Sequence, residues 1–142
     1  MRGPVVGAEI FALHAAKFHP RVLVVDDEGL LRWSLAETLV DAGYQVVLAA
    51  NGCDARAAMA DERHRIDVML VDLKLPDTDG LQLVREARRR WLTCPIVAMT
   101  AYAPADTHES AIAAGAQDVV TKPFDLDDMR RRVRQLCPSM PH

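Results

Sequence analysis

Apolar and polar positions along this chain alternate between two periods. Residues 22–25 (VLVV) form a solid apolar run, as expected of a strand covered on both faces. Leu31, Leu35 and Leu39 then recur at every fourth position and mark one face of a helix, with Gly43 placed to end it. Residues 44–49 (YQVVLA) read as a second strand. Ala55, Ala58 and Met59 read as a second helix that runs out in the polar stretch DERHR. A third strand, residues 67–71 (DVMLV), stops at Asp72 and enters LKLPDTDG, a loop rich in turn formers. Leu81, Val84 and Ala87 share one face of a third helix, whose basic end REARRR complements the helix C-terminus.

The same pairing continues to the end. PIVAM (95–99) is a fourth strand stopping at Thr100, and THESAIAAGA predicts a fourth helix with Gly115 near its close. DVV (118–120) is a short fifth strand. Asp125 or Asp127 can cap a last helix that turns Leu126, Met129, Val133 and Leu136 inward. Five strands, each followed by a helix, predict an α/β fold with an open, doubly wound parallel sheet. The first eighteen residues are interrupted by Glu9, His14 and Lys17, and read as a tail or a short extra helix ending near Pro20 rather than a signal peptide.

In such a sheet, ligands bind beyond the carboxyl ends of the strands. The polar groups at those ends are Asp26 and Asp27 after the first strand, Asp72 after the third, Thr100 after the fourth and Lys122 after the fifth. Any one of them alone reads as a solvated turn, a cap or a surface lysine. The set, in step on successive strand ends, reads as a site. Three converging carboxylates repel one another unless a cation compensates. Oxygen ligands of this number suit Mg²⁺, which accepts one or two carboxylates and keeps its waters. A hydroxyl and an ammonium beside them complete a pocket for a phosphoryl group bridged to a metal.

Composition narrows the alternatives. A chain of 142 residues is the size of one domain, with no linker or second domain in view. A net charge of −3 speaks against direct nucleic-acid binding, although RRRVR (130–134) is locally basic; its plain reading is a solvated helix face. No apolar run approaches membrane-spanning length, so no membrane partner is expected. Cys53, Cys94 and Cys137 are scattered without metal-site spacing and read as reduced thiols of a cytoplasmic protein.

VVDDE, DLKLPDTDG, MTAY and TKPFD, in this order, resemble the receiver domains of bacterial two-component response regulators, with LRWSLAETLVDAGY and MTAY similar to receivers of the NtrC-like kind. The resemblance implies a flavodoxin/CheY-like (βα)5 fold with strand order 2-1-3-4-5. It divides the chain into an N-terminal extension (1–19), a receiver domain (20–137) and a C-terminal tail (138–142).

By position, it makes Asp72 the phosphoacceptor. Asp26 and Asp27 hold Mg²⁺ with Asp72, and the backbone carbonyl of Lys74 completes the protein ligands. Thr100 donates to a phosphoryl oxygen. Lys122 pairs first with Asp72 and then with the phosphoryl group, with Lys122–Pro123 often cis. Ala101 leaves the pocket open to the donor, Lys74 and Tyr102 tune the lifetime of the modified state, and Glu28 is a neighbour of the cluster. The implied activity is Mg²⁺-dependent self-phosphorylation from a phosphohistidine of a sensor kinase or phosphotransfer protein, followed by autodephosphorylation.

The implied output surface is the fourth helix, fifth strand and fifth helix, about residues 104–136. It faces a downstream protein or an output domain, such as one that regulates transcription, and also allows a homodimer. No output domain is present in this sequence, which leaves a stand-alone receiver or a piece of a longer regulator. One departure stands out: Val119 occupies the switch position where the family usually has Tyr or Phe, and Tyr102 substitutes for it at most in part. Thr78 stands where methionine is common. Two other readings remain open. One is a phosphorylation-independent interaction module of the same fold. The other is an aspartate-nucleophile phosphohydrolase, against which the adjacent rather than DxD pair and the missing cap domain both count.

Overall fold

The computed structural model describes residues 19–91, 93–102 and 104–137. The expectations for residues 1–18 and 138–142 lie outside them. Five strands alternate with five helices: β1 (Arg21–Val25), α1 (Gly29–Asp41), β2 (Gln45–Ala49), α2 (Gly52–Ala60), β3 (Val68–Asp72), α3 (Gly80–Arg90), β4 (Ile96–Thr100), α4 (Ala105–Ala114), β5 (Asp118–Thr121) and α5 (Leu126–Leu136). The sheet is wholly parallel and ordered β2-β1-β3-β4-β5. This is the doubly wound (βα)5 fold expected from the sequence.

The unbroken apolar runs follow from burial on both faces. Leu23, Val25, Met69, Val71, Ile96 and Ala98 point into one core layer, against Ala55, Met59, Leu83, Val84, Ala87 and Ala111. Val22, Val24, Val68, Leu70, Val97 and Met99 point into the other, against Leu35 and Leu39 of α1 and Met129 and Val133 of α5. All of β3 and β4 is buried, whereas β2 lies at an edge and exposes Leu48.

Helix ends carry their signals. Gly43, at φ 101°, follows α1; its N–H donates to the Val40 carbonyl, and the Tyr44 N–H to the Leu39 carbonyl. Asp125 rather than Asp127 caps α5, accepting from the Asp127 and Asp128 N–H groups. α4 starts at Ala105 behind Pro104, two residues ahead of the expected stretch. In α3 the buried set is Leu83, Val84 and Ala87, with Leu81 only half-buried. Gly80, Leu83, Val84 and Ala87 share the i, i+3, i+4, i+7 face, with Leu81 packed at its margin. A Cβ at Gly80 would lie 2.4 Å from Leu73 Cα, so α3 begins hard against the end of β3.

Candidate functional site

Parallel strands bring their carboxyl ends to one edge, and four loops meet there. Asp26 directly follows β1 and is fully buried. Its Oδ1 accepts the Glu28 N–H at 2.8 Å, which turns the chain into α1, and Arg32 Nη1 donates to the Asp26 carbonyl at 2.8 Å. Asp72 closes β3, and its Oδ1 accepts the Lys74 N–H at 2.9 Å. Each of these aspartates thus spends one carboxylate oxygen on its own backbone and aims the other into the site.

Lys122 meets both of those oxygens. Its Nζ lies 2.6 Å from Asp26 Oδ2 and 3.0 Å from Asp72 Oδ2. Burial works to discharge the lysine, but the carboxylates of Asp26 and Asp72 outweigh it and hold the ammonium above its ordinary value. The Lys122 N–H donates to the Thr100 carbonyl at 2.7 Å, and the Lys122–Pro123 bond is cis.

Asp27 is exposed beside this pair. One carboxylate oxygen from each of Asp26, Asp27 and Asp72 falls within 4.8 Å of the others. One ammonium against three carboxylates leaves negative charge over. Asp26 Oδ2, despite its close ion partner, has no hydrogen bond aligned on it and no access to solvent. A buried carboxylate oxygen in that state fits a cation ligand. The donor set, all hard oxygen, fits a divalent metal ion.

The other expected residues group around this centre. The Thr100 hydroxyl is turned into its own loop, donating to the Tyr102 carbonyl at 2.8 Å and accepting the Tyr102 N–H at 3.3 Å. Ala101 and the Tyr102 side chain are exposed on the same loop, and the Lys74 side chain is exposed. Val119 pairs with Ala98 in the sheet and packs against the core layer of α2, α3 and α4. An apolar groove of about 570 Å³ opens beside the lysine, lined by Leu30, Leu31 and Phe124 together with Glu28, Ala101 and Lys122.

Sequence reasoning missed Asp77. Its two carboxylate oxygens accept the N–H groups of Gly52 at 2.7 Å and Cys53 at 2.9 Å. These bonds hold its carboxyl below the usual range. The loop composition marked Asp77 as a turn former, but its partners lie 25 and 24 positions away. Arg32 was likewise hidden, because a first-turn arginine carries no sign of a backbone carbonyl behind it.

The family model for the response regulator receiver domain matches residues 22–134. The chain belongs to that family. Among curated relatives, it is 40% identical over 113 residues to the transcriptional regulatory protein KdpE of Mycobacterium tuberculosis, covering 80% of this chain and 49% of that one. It is 38% identical over 107 residues to the DNA-binding transcriptional regulator NtrC of Salmonella typhimurium, covering 75% of this chain and 22% of that protein. The receiver therefore spans about half of one relative and under a quarter of the other. The solved CheY-like receiver domain protein of Methanospirillum hungatei superposes with a TM-score of 0.79 at 27% identity, over 83% of this chain and 93% of that one.

Receiver fold and aspartate cluster together are consistent with phosphorylation-driven signalling. Among the described residues, no helix is long and apolar enough to cross a membrane.

Proposed function

We propose that this receiver takes a phosphoryl group onto Asp72 from a phosphohistidine of a sensor kinase or phosphotransfer protein, with Mg²⁺ as cofactor. The observation that carries this reading is the Lys122 ammonium held between Asp26 and Asp72, beside a third carboxylate. Asp26, Asp27 and Asp72, with the Lys74 backbone carbonyl, are the residues that would hold the ion. Bound there, Mg²⁺ supplies positive charge against the oxygens of the transferring group.

The chain's own residues do the rest. The Asp72 carboxylate attacks phosphorus. An O–P bond forms as the N–P bond of the donor breaks, and the imidazole leaves with the bonding pair. Lys122 offsets charge on the phosphoryl oxygens, in a reaction that depends mainly on positioning and electrostatics. Asp72 and Lys122 are both held before the donor arrives, so little reorganisation remains. Ala101 leaves room for the donor. Water later attacks the acyl phosphate at phosphorus, along a path flanked by Lys74 and Tyr102; the Asp72 O–P bond breaks, inorganic phosphate leaves and the carboxylate is restored.

Thr100 is the switch element. For its hydroxyl to donate to a phosphoryl oxygen, it must release the Tyr102 carbonyl it now holds. The loop before α4 moves with it, and the α4–β5–α5 face reads out the change. Val119 is too small for an aromatic rotation, so coupling in this chain runs through the Thr100 loop. Two relatives are named as transcription regulators and extend well beyond the matched region. On that ground the output of this receiver is transcriptional control through a further domain or protein.

The test is incubation with Mg²⁺ and acetyl phosphate, followed by intact mass, for the wild type and Asp72→Asn. A gain of one phosphoryl group in the wild type alone supports the reading. An unmodified wild type, with slow dephosphorylation established, favours a phosphorylation-independent docking module instead.

A further inference from the structure

The loop between β3 and α3 is tied at both ends. At its base the Gly80 N–H donates to the Leu73 carbonyl at 3.0 Å, Lys74 and Asp79 form an antiparallel bridge, and Asp79 caps α3 by accepting the Leu81 N–H at 2.9 Å. Its tip, Pro76 to Thr78, reaches across to α2. There the Asp77 carboxylate takes the N–H groups of Gly52 and Cys53, the first two residues of that helix. Asn51 separately accepts the Asp54 N–H at 2.8 Å, so two side chains share the free donors of this helix end.

The approach is close. A Cβ at Gly52 would sit 2.4 Å from Thr78 Cγ2 and 3.1 Å from Asp77 Oδ1, so glycine is what lets the tip dock. Arg56 adds a third tie, donating to Thr78 Oγ1 at 3.1 Å while paired with Glu86 at 2.8 Å. A negative carboxylate at a helix N-terminus is also favoured by the helix dipole.

The same loop starts at the site. Lys74 donates its N–H to Asp72 Oδ1. Only Leu75 and Pro76 separate Lys74 from Asp77, so the tip and the Lys74 backbone are joined by a short stretch of chain. We propose that Asp77 is a positioning residue for the aspartate centre: by latching the loop to α2, it fixes the Lys74 backbone for metal binding and phosphoryl transfer. This rests on the reading of the site as a Mg²⁺-dependent phosphoacceptor. Asp77 itself touches neither the ion nor the phosphoryl group.

The experiment compares Asp77→Ala, Asp77→Asn and Asn51→Ala in the full chain. Asn51→Ala removes a cap from the same helix end but leaves the latch intact. Mg²⁺ affinity is read by calorimetry, the initial rate of modification by acetyl phosphate by mass, and the exchange of the Lys74 and Leu75 amides in Mg²⁺-free buffer. Outer-shell partners of metal ligands characteristically change affinity by about tenfold or more. Asp77→Ala is expected to weaken Mg²⁺ binding by about tenfold, slow modification and speed loop exchange. Asp77→Asn, which keeps one acceptor oxygen, is expected to fall between it and the wild type.

Asn51→Ala is expected to lower the melting temperature without moving Mg²⁺ affinity. Unchanged Mg²⁺ affinity in Asp77→Ala, or an equal loss in Asn51→Ala, overturns the proposal. If the wild type neither binds Mg²⁺ nor takes a phosphoryl group, the reading of the site fails by itself. Loop exchange then decides the latch: unchanged exchange in Asp77→Ala overturns it, and faster exchange at Lys74 and Leu75 supports it.

Discussion

Lys122 Nζ stands 2.6 Å from Asp26 and 3.0 Å from Asp72, so one cation from the loop after β5 ties together the ends of β1 and β3. Asp26 is fully buried and Asp72 nearly so. Removing the cation leaves two carboxylates facing each other with little water to screen them.

Lys122→Met keeps the aliphatic stem and removes the charge. Taking one partner from a buried ion group costs about 3–5 kcal/mol when nothing replaces it. Water entering the space left by the Lys122 head group brings the expected loss in Mg²⁺-free buffer to about 2–4 kcal/mol. Urea unfolding checks this. A divalent ion binding the folded state recovers part of the loss by mass action, so adding Mg²⁺ should raise the midpoint more in Lys122→Met than in the wild type. Equal midpoints of the two proteins without Mg²⁺ would rule out the strained carboxylate pair.

Asp27 is the exposed member of the cluster, and its contribution has the opposite sign. Without a metal it only adds repulsion to Asp26 and Asp72. Asp27→Asn is therefore expected to raise the melting temperature in Mg²⁺-free buffer. On the proposed reading of the site it also removes a charged ligand, and Mg²⁺ binding is expected to weaken by about tenfold. Scanning calorimetry and a Mg²⁺ titration read the two effects separately. A variant that lost both stability and affinity would mean that Asp27 is tied into the fold.

Where sequence and structure agree, the reason is periodicity. The runs in β1, β3 and β4 are apolar because both faces are covered, and the polar residues that close them, Asp26, Asp72 and Thr100, mark where the strands hand over to the site. Strand ends far apart in the chain become neighbours through the parallel topology alone. What stayed hidden depends on contacts between distant residues or on rotamers. Leu83 is buried while Leu81 packs at the margin of the core, and the close approach of Gly80 to Leu73 is a contact that sequence spacing does not show. The latch from Asp77 to Gly52 joins two turn formers of unremarkable type. The Thr100 hydroxyl turns to the Tyr102 carbonyl, a choice between staggered rotamers of one side chain.

The two glycines at Gly29 and Gly80 open helices of similar length but should respond differently to the same change. At Gly80 an added methyl meets backbone, 2.4 Å from Leu73 Cα and 2.5 Å from the Asp72 carbonyl oxygen. Nothing flexible can yield there, so Gly80→Ala is expected to cost about 2–4 kcal/mol and to disturb Asp72 directly. At Gly29 the nearest atom is the end of the Arg32 side chain, at 3.8 Å. Gly29→Ala is expected to stabilise by about 0.4–1 kcal/mol through the unfolded chain. Denaturant unfolding of both variants checks the sign of each change.

Alkaline stability should depend on Cys94. Burial pushes its thiol up to about 12 from a starting value of 9.0, while Cys53 is exposed. Below about pH 9 the thiol is protonated in both states, and the stability it contributes is fully present. Between about 9 and 12 the unfolded chain releases the proton and the folded chain keeps it, so stability falls as pH rises, by about 1.4 kcal/mol per pH unit for this group. Above 12 both forms ionise and the decline from this source stops. Lys122 and Tyr44 also titrate on the alkaline side, with values raised in the fold, so the measurement is a difference. Urea midpoints of the wild type and Cys94→Ala, taken from pH 8 to 10.5, should converge or cross as pH rises, because the variant lacks this term. Parallel curves would mean that the Cys94 thiol titrates alike in the two states. A thiol reagent at pH 8 gives an independent check: Cys53 should react in the folded protein while Cys94 stays unmodified until the chain unfolds.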